Sequence, residues 1–435
     1  MKRIQIIAIL LMVLTSSFAQ DAKSIKKLFD KNDLATAKTQ IDALVEKNPT
    51  NSEDLYLQSK IYTAIALNDQ MKIAFPDARM VAFEAFKKSI ENQKGNTEYL
   101  KMMVMDKQFY KPLIDLYTGY YDAGAAYFNS AANKTSKADF EQSMNMFINA
   151  DKVGHFIAEQ KLGLSELDTN LILNIGKGAL NAGKTDIALT YLTKLADANV
   201  YTSKDGTAGY ELPYQWLTLH YKTIKDEANM LKYSGMGKLH FPKDDYYDAV
   251  LLDYYREKKD HDALFKQYQH ITTTFPDSVN YHFNYANDAF NYVYNSDAGV
   301  KVSNKEEVLK VITAELGRAM KLKPEDVNVN WLYGQYYFNQ GIEIKDKVKS
   351  VKGVTPADVK IKKDINAQAT QSFMAAIPYG EKALSILEVG TRKSEKSRYK
   401  SICDLMQRIY QALQKPDKVK FYQNKYDSAD TKFIN

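Results

Sequence analysis

The chain has 435 residues, 59 Lys plus Arg against 53 Asp plus Glu, and a single cysteine, Cys403. That length is ample for a large core, the mild positive balance implies neither nucleic acid nor an anionic surface as partner, and one cysteine excludes an intrachain disulfide framework. Glycine (19) and proline (10) are scarce, tyrosine (31) is abundant, and no alternating strand pattern between hairpin turns stands out, so the chain reads as all-α.

The predicted elements begin with a targeting segment. Lys2 and Arg3 precede an apolar run from Ile4 to Leu14 interrupted by Gln5, and Ser17 and Ala19 then occupy the small-residue positions of a cleavage site before Gln20. Residues 1–19 are therefore expected to be a secretory signal peptide cleaved after Ala19. The run is too short for a membrane-spanning helix, and no cysteine stands at the cleavage site to carry a lipid anchor. The mature chain, from Gln20, is expected to be periplasmic or secreted, with no later membrane span. Removing Lys2 and Arg3 leaves 57 basic residues against 53 acidic, a net of +4.

From residue 30 onward the apolar spacing is helical. In residues 30–65, Leu34, Ala37, Ile41 and Leu44 recur on one face, Pro49 ends the segment, and Leu55 and Tyr62 open the next helix. Residues 65–165 are helical by pattern without a clear repeat. Residues 169–196 place Ile172, Ile175, Gly176, Ala179, Gly183, Ala188 and Leu192 in the same kind of register. Residues 245–292 carry Leu251, Tyr255, Tyr268, Ile271 and Pro276, with Leu264 at a position that elsewhere holds a small residue, and then Tyr285, Ala286 and Ala289. Residues 306–341 carry Leu316, Ala319 and Pro324, followed by Tyr333, Gly334, Tyr337 and Gly341, and residues 370–430 read as a further helix and a closing pair. Residues 199–213 form a long connection, 295–304 a polar linker, and 342–368 a charged insertion that extends the two helices of one pair.

These residues resemble the tetratricopeptide repeat (TPR), a helix–turn–helix unit of about 34 residues. A small side chain early in the second helix lets the pair approach closely, and a proline stops that helix. The resemblance implies an α-solenoid of TPR-like helix–turn–helix pairs over residues 20–435, each pair covering its neighbour's apolar face. With the export signal, the insertion pattern is similar to exported TPR proteins of Bacteroidetes-type bacteria.

One stretch, GALNAGKT at 178–185, fits the phosphate-loop pattern G-x-x-x-x-G-K-[ST]. Such a loop must follow a buried strand, whereas the residues before it have helical spacing, which puts Gly178 inside a helix. The stretch is read instead as a turn, with Gly183 stopping one helix, Thr185 or Asp186 capping the next, Ala188 packed between them and Lys184 in solvent. The six histidines show no metal-ligand spacing, and neither metal nor cofactor is expected. Cys403, in an apolar helical pattern, is expected to be a buried thiol.

In the TPR class the first helix of each pair lines a concave face. By register that face takes Phe283, Asn287 and Asn291 from one unit and Trp331, Gln335, Phe338 and Asn339 from a later one. Side-chain amides suit an extended peptide backbone and aromatics supply apolar area. The chain is accordingly expected to be a non-catalytic scaffold for a protein or peptide partner in the periplasm or cell envelope. The alternatives are a glycan- or nutrient-binding helical-repeat protein, and an enzyme with a site in residues 65–165.

Overall fold

A computed structural model describes residues 21–96, 98–99, 111–164, 167–295, 302 and 304–434. The expected signal peptide lies outside the described residues, as do most of the polar linker and residues 100–110 of the segment without clear repeats. The chain divides into two compact units, Met1–His240 and Phe241–Asn435.

The first unit contains α1 (Ala22–Asp30), α2 (Leu34–Lys47), α3 (Ser52–Leu67), α4 (Met71–Ala74), α5 (Ala78–Glu91), α6 (Lys111–Lys134), α7 (Lys137–Glu159), α8 (Thr169–Ala182), α9 (Thr185–Asp197), α10 (Glu211–Thr223) and α11 (Glu227–His240). The second contains α12 (Tyr246–Lys258), α13 (His261–Thr274), α14 (Val279–Tyr294), α15 (Lys305–Leu322), α16 (Val327–Asp346), α17 (Pro356–Glu388), α18 (Lys396–Ala412) and α19 (Pro416–Lys432). The long connection after α9 makes a single antiparallel bridge, Thr202 to Gly209.

Helix starts follow from short polar side chains that accept from otherwise orphaned backbone N–H groups. Asn51 accepts from Glu53 and Asp54, Asp168 from Leu171, Asp260 from Ala263, and Asp326 from Asn328 and Val329. The turn inside six of the pairs is equally regular. Asn32, Thr135, Gly183, Lys225, Lys259 and Gln414 all have φ between 54° and 76°, in the left-handed region, and each ends the first helix of a pair. The next residue's N–H then reaches five residues back: Asp33 to Leu28, Ser136 to Ala131, Lys184 to Ala179, Asp226 to Tyr221, Asp260 to Tyr255 and Lys415 to Tyr410. One backbone device therefore folds six helix pairs.

Packing follows chain order within each unit. In the first, α8 lies on α7 and on α9, and α10 on α11. In the second, each helix from α12 to α19 packs on the next, while α16 also touches α14 and α18, as pairs stacked on pairs require. Ala37, Ile41, Ile172, Ile175, Ala179, Ala188, Leu192, Tyr268, Ile271, Ala286, Ala289, Leu316 and Ala319 are all fully buried. Leu264 fills the small-residue position and is also buried. The architecture is an all-α solenoid of TPR-like helix–turn–helix pairs.

Three local expectations are corrected. Leu252 is buried in α12 while Leu251 is only half-buried, so the register there is one residue off. Neither Thr185 nor Asp186 caps α9; Lys184 stands at the cap position and its side chain makes no cap bond. Lys184 is half-exposed and paired with Glu141 at 2.7 Å. As expected, Gly178 lies inside α8, against Met144.

Candidate functional site

The second unit carries an open groove of about 820 Å³ between α16, α18 and α19. Trp331 and Gln335, one turn apart on α16, form one wall. Opposite them α18 presents Lys396, Lys400, Asp404 and Arg408 at about one-turn spacing, with Lys393 just before the helix. Leu405 forms the apolar floor, and Gln423 and Tyr426 of α19 close the far side. The sequence dictates this: Tyr399, Ile402, Cys403, Met406, Ile409 and Tyr410 of α18 are buried, so the intervening polar residues must face outward.

The groove is cationic and its aromatics are already engaged by cations. The Arg398 guanidinium lies 3.9 Å from the Trp331 ring centre, and burial lowers its pKa from the usual arginine value. The Trp331 Nε1–H is buried with no acceptor among the described residues. Lys400 lies 4.8 Å from the Tyr426 ring centre. Lys396 and Lys400 each reach Asp430 at 2.7 Å. Hydrogen bonds from these two lysines hold the Asp430 carboxyl down at about 2, and the bond to Asp430 raises Lys400. Four cations thus line the groove against one lining carboxylate, Asp404, with Asp430 partly neutralising two of the four.

Of the residues expected on the concave face, the groove brings together Trp331 and Gln335. Phe338 is a correction: it is 4% exposed, packs on Phe373 at 5.7 Å and is capped by Arg408, because α17 lies over that face of α16. Asn339 is half-buried and Phe283 packs beside the Ala286, Ala289 and Phe290 cluster. Asn287 is half-buried; Asn291 is exposed and accepts from the Asn295 amide at 2.8 Å. None of these lines the groove. The lysines and Arg408 of α18 were missed because that segment was read only as a closing pair. The i, i+4, i+8, i+12 spacing of Lys396, Lys400, Asp404 and Arg408 opposite the apolar stripe was the available signal.

Elsewhere the polar groups are mostly paired for structural ends. His282 is buried between the Glu315 carboxylate (2.5 Å) and the Pro276 carbonyl (2.8 Å), so both ring nitrogens are occupied. Arg256 and Tyr268 converge on Asp288 at 2.9 and 2.7 Å, joining α12, α13 and α14. In residues 65–165, Tyr117 binds Asp168 and burial raises its pKa strongly. Among the described residues no group of three or more His, Cys, Asp or Glu is placed to hold a metal ion, and no helix is long and apolar enough to cross a membrane.

No protein-family model matches the chain, and no curated protein sequence does. Solved structures do match. The APC/C hetero-tetramer Cut9–Hcn1 is 12% identical, with 94% of this chain and 73% of that chain covered and a TM-score of 0.30. A human IFIT1 dimer with m7Gppp-AAAA is 11% identical, covering 86% and 89%, with a TM-score of 0.25. Naa15/Naa10 bound to HypK-THB is 11% identical, covering 95% and 78%, with a TM-score of 0.18.

Proposed function

We propose that this chain is a non-catalytic scaffold that holds a protein or peptide partner in the periplasm or cell envelope, and that the groove of α16, α18 and α19 grips an acidic, extended segment of that partner. The observation that carries this reading is the wall-to-wall arrangement of the groove. Trp331 and Gln335 stand on one side and Lys393, Lys396, Lys400 and Arg408 on the other. Lysine and arginine donors complement carboxylates, the Gln335 amide can both donate to and accept from a peptide backbone, and the Trp331 and Tyr426 rings supply apolar contact. The export signal read in residues 1–19 is what supports the envelope location.

The protein has two tryptophans, Trp216 and Trp331, so Trp216→Phe leaves Trp331 as a single reporter inside the groove. Titration with a glutamate-rich peptide should change its fluorescence, and a neutral peptide of the same length should not. Lys396→Glu with Lys400→Glu should weaken the response by at least ten-fold, since each lost charge-assisted bond is worth about 1.5–3 kcal/mol. Pull-down from an envelope fraction, read by mass spectrometry, should recover a partner that is lost on Trp331→Ala. An unchanged titration in the double variant, with unchanged recovery on Trp331→Ala, would remove the groove from the proposal.

A further inference from the structure

The charged insertion lies outside that groove. α16 continues to Asp346, a short 3₁₀ turn covers Lys347–Ser350, and α17 starts at Pro356, so the insertion lengthens both arms of one helix pair. No residue from Ile342 to Gln368 is buried. Its tip, KDKVKSVKGVTPADVKIKK at 345–363, holds seven lysines and two aspartates, a net of +5, and the whole 435-residue chain nets only +6. The mild overall charge therefore conceals a concentrated cationic patch at this tip.

The tip is ordered by its own bonds. Thr355 and Asp358 form a reciprocal capping box at the start of α17, Pro356 follows the cap, and the Lys362 ammonium donates to the Gly353 carbonyl at 2.9 Å. Lys349 is paired with Asp346 at 2.7 Å. Lys345, Lys347, Lys352, Lys360 and Lys363 make no ion pair among the described residues. Beside them stand aliphatic side chains that folding has left in water: Val354 is 86% exposed, Val359 57% and Ile361 47%.

We propose that the α16–α17 tip is a peripheral docking site for a bilayer rich in anionic phospholipid. Five free ammonium groups complement headgroup phosphates, and Val354, Val359 and Ile361 enter the boundary between headgroups and acyl chains. The exposed aliphatics are what favour a bilayer over a nucleic acid or a soluble polyanion, to which they contribute nothing. The preformed capping box and the Lys362–Gly353 bond present these groups without a folding step on contact. The site is separate from the groove, so a scaffold held there would display its peptide-binding surface at a membrane.

The test is co-sedimentation of the mature chain with vesicles of phosphatidylglycerol and phosphatidylcholine, against vesicles of phosphatidylcholine alone. Binding is expected only to the anionic vesicles and should weaken steeply as salt rises. Lys347→Ser, Lys352→Ser and Lys360→Ser together should weaken it by about 100-fold, at about five-fold per lysine. Val354→Ser with Val359→Ser should weaken vesicle binding while leaving any binding to heparin unchanged. All five positions are exposed, and unchanged helicity by circular dichroism confirms that the variants fold. Equal binding to both vesicle types, anionic binding indifferent to the three lysines, or heparin binding without vesicle binding would each overturn the proposal.

Discussion

Cys403 shows at the residue scale how burial decides chemistry. Its thiol lies in α18 among Ile402, Leu405 and Met406 and is fully enclosed. Burial pushes its pKa up from 9.0 to about 12, a push that the nearby Lys425 ammonium only partly offsets. The thiolate is the reactive form, so the folded protein should resist iodoacetamide at pH 8 and become alkylated only with denaturant, as mass spectrometry would read. The sign for stability follows from the same shift. Between pH 9 and 12 the unfolded chain has lost the thiol proton and the native chain keeps it, so this group's contribution to stability falls as pH rises through that window. Cys403→Ala should remove that component of the alkaline slope in denaturant titrations at pH 8 and pH 10. Equal slopes, or rapid native alkylation, would contradict an enclosed thiol. Asp430 shifts the other way, held near 2 by Lys396 and Lys400, so it stays ionised at neutral pH and restrains two groove cations.

At the scale of the element, the recurrent left-handed turn separates what could be read in the sequence from what could not. Gly183 was legible because glycine takes φ > 0 freely; Lys225, Lys259 and Gln414 perform the same turn at φ 61°, 55° and 59° with residues that give no such signal. The helical periodicity and the buried faces were legible for the same reason everywhere: apolar spacing is local. The groove was not, because α16 and α18 touch directly only in the folded stack, with the whole of α17 between them in the chain, and only Trp331 and Gln335 were found from register. Phe338 failed because register within α16 says which residues share a side, not that α17 covers it. The turn also discriminates between the two readings of GALNAGKT. Gly183→Ala should cost about 1–2 kcal/mol from backbone strain alone, since nothing lies within 4 Å of the added Cβ. Lys184→Ala should cost about 1 kcal/mol or less, its partner Glu141 being a surface residue. Urea unfolding of the two variants measures both. A phosphate loop would reverse the ranking in function, with Lys184→Ala abolishing it.

At the scale of the molecule, composition averages away the features that matter. A net charge of +6 looked too mild for an anionic surface, yet residues 345–363 alone carry +5. The division into units was equally hidden, because repeat periodicity continues on both sides of residue 240. Contacts within each unit define it, with buried apolar side chains from Ile25 to Tyr233 in the first and from Tyr247 to Phe433 in the second. Solenoid stability is a sum over neighbouring pairs, and each helix from α12 to α19 packs on the next, so the second unit can draw its stability from its own stack. Residues 241–435 made alone should therefore be helical by circular dichroism, unfold cooperatively on heating and keep the Trp331 fluorescence of the full chain. Cutting instead between α16 and α17, at residue 351, divides the cluster in which Phe338 packs on Phe373 and should give fragments that aggregate or lack cooperative unfolding. If residues 241–435 were unfolded in isolation, the second unit would have to draw its stability from outside its own helices, and the boundary at His240 would not mark an independent fold.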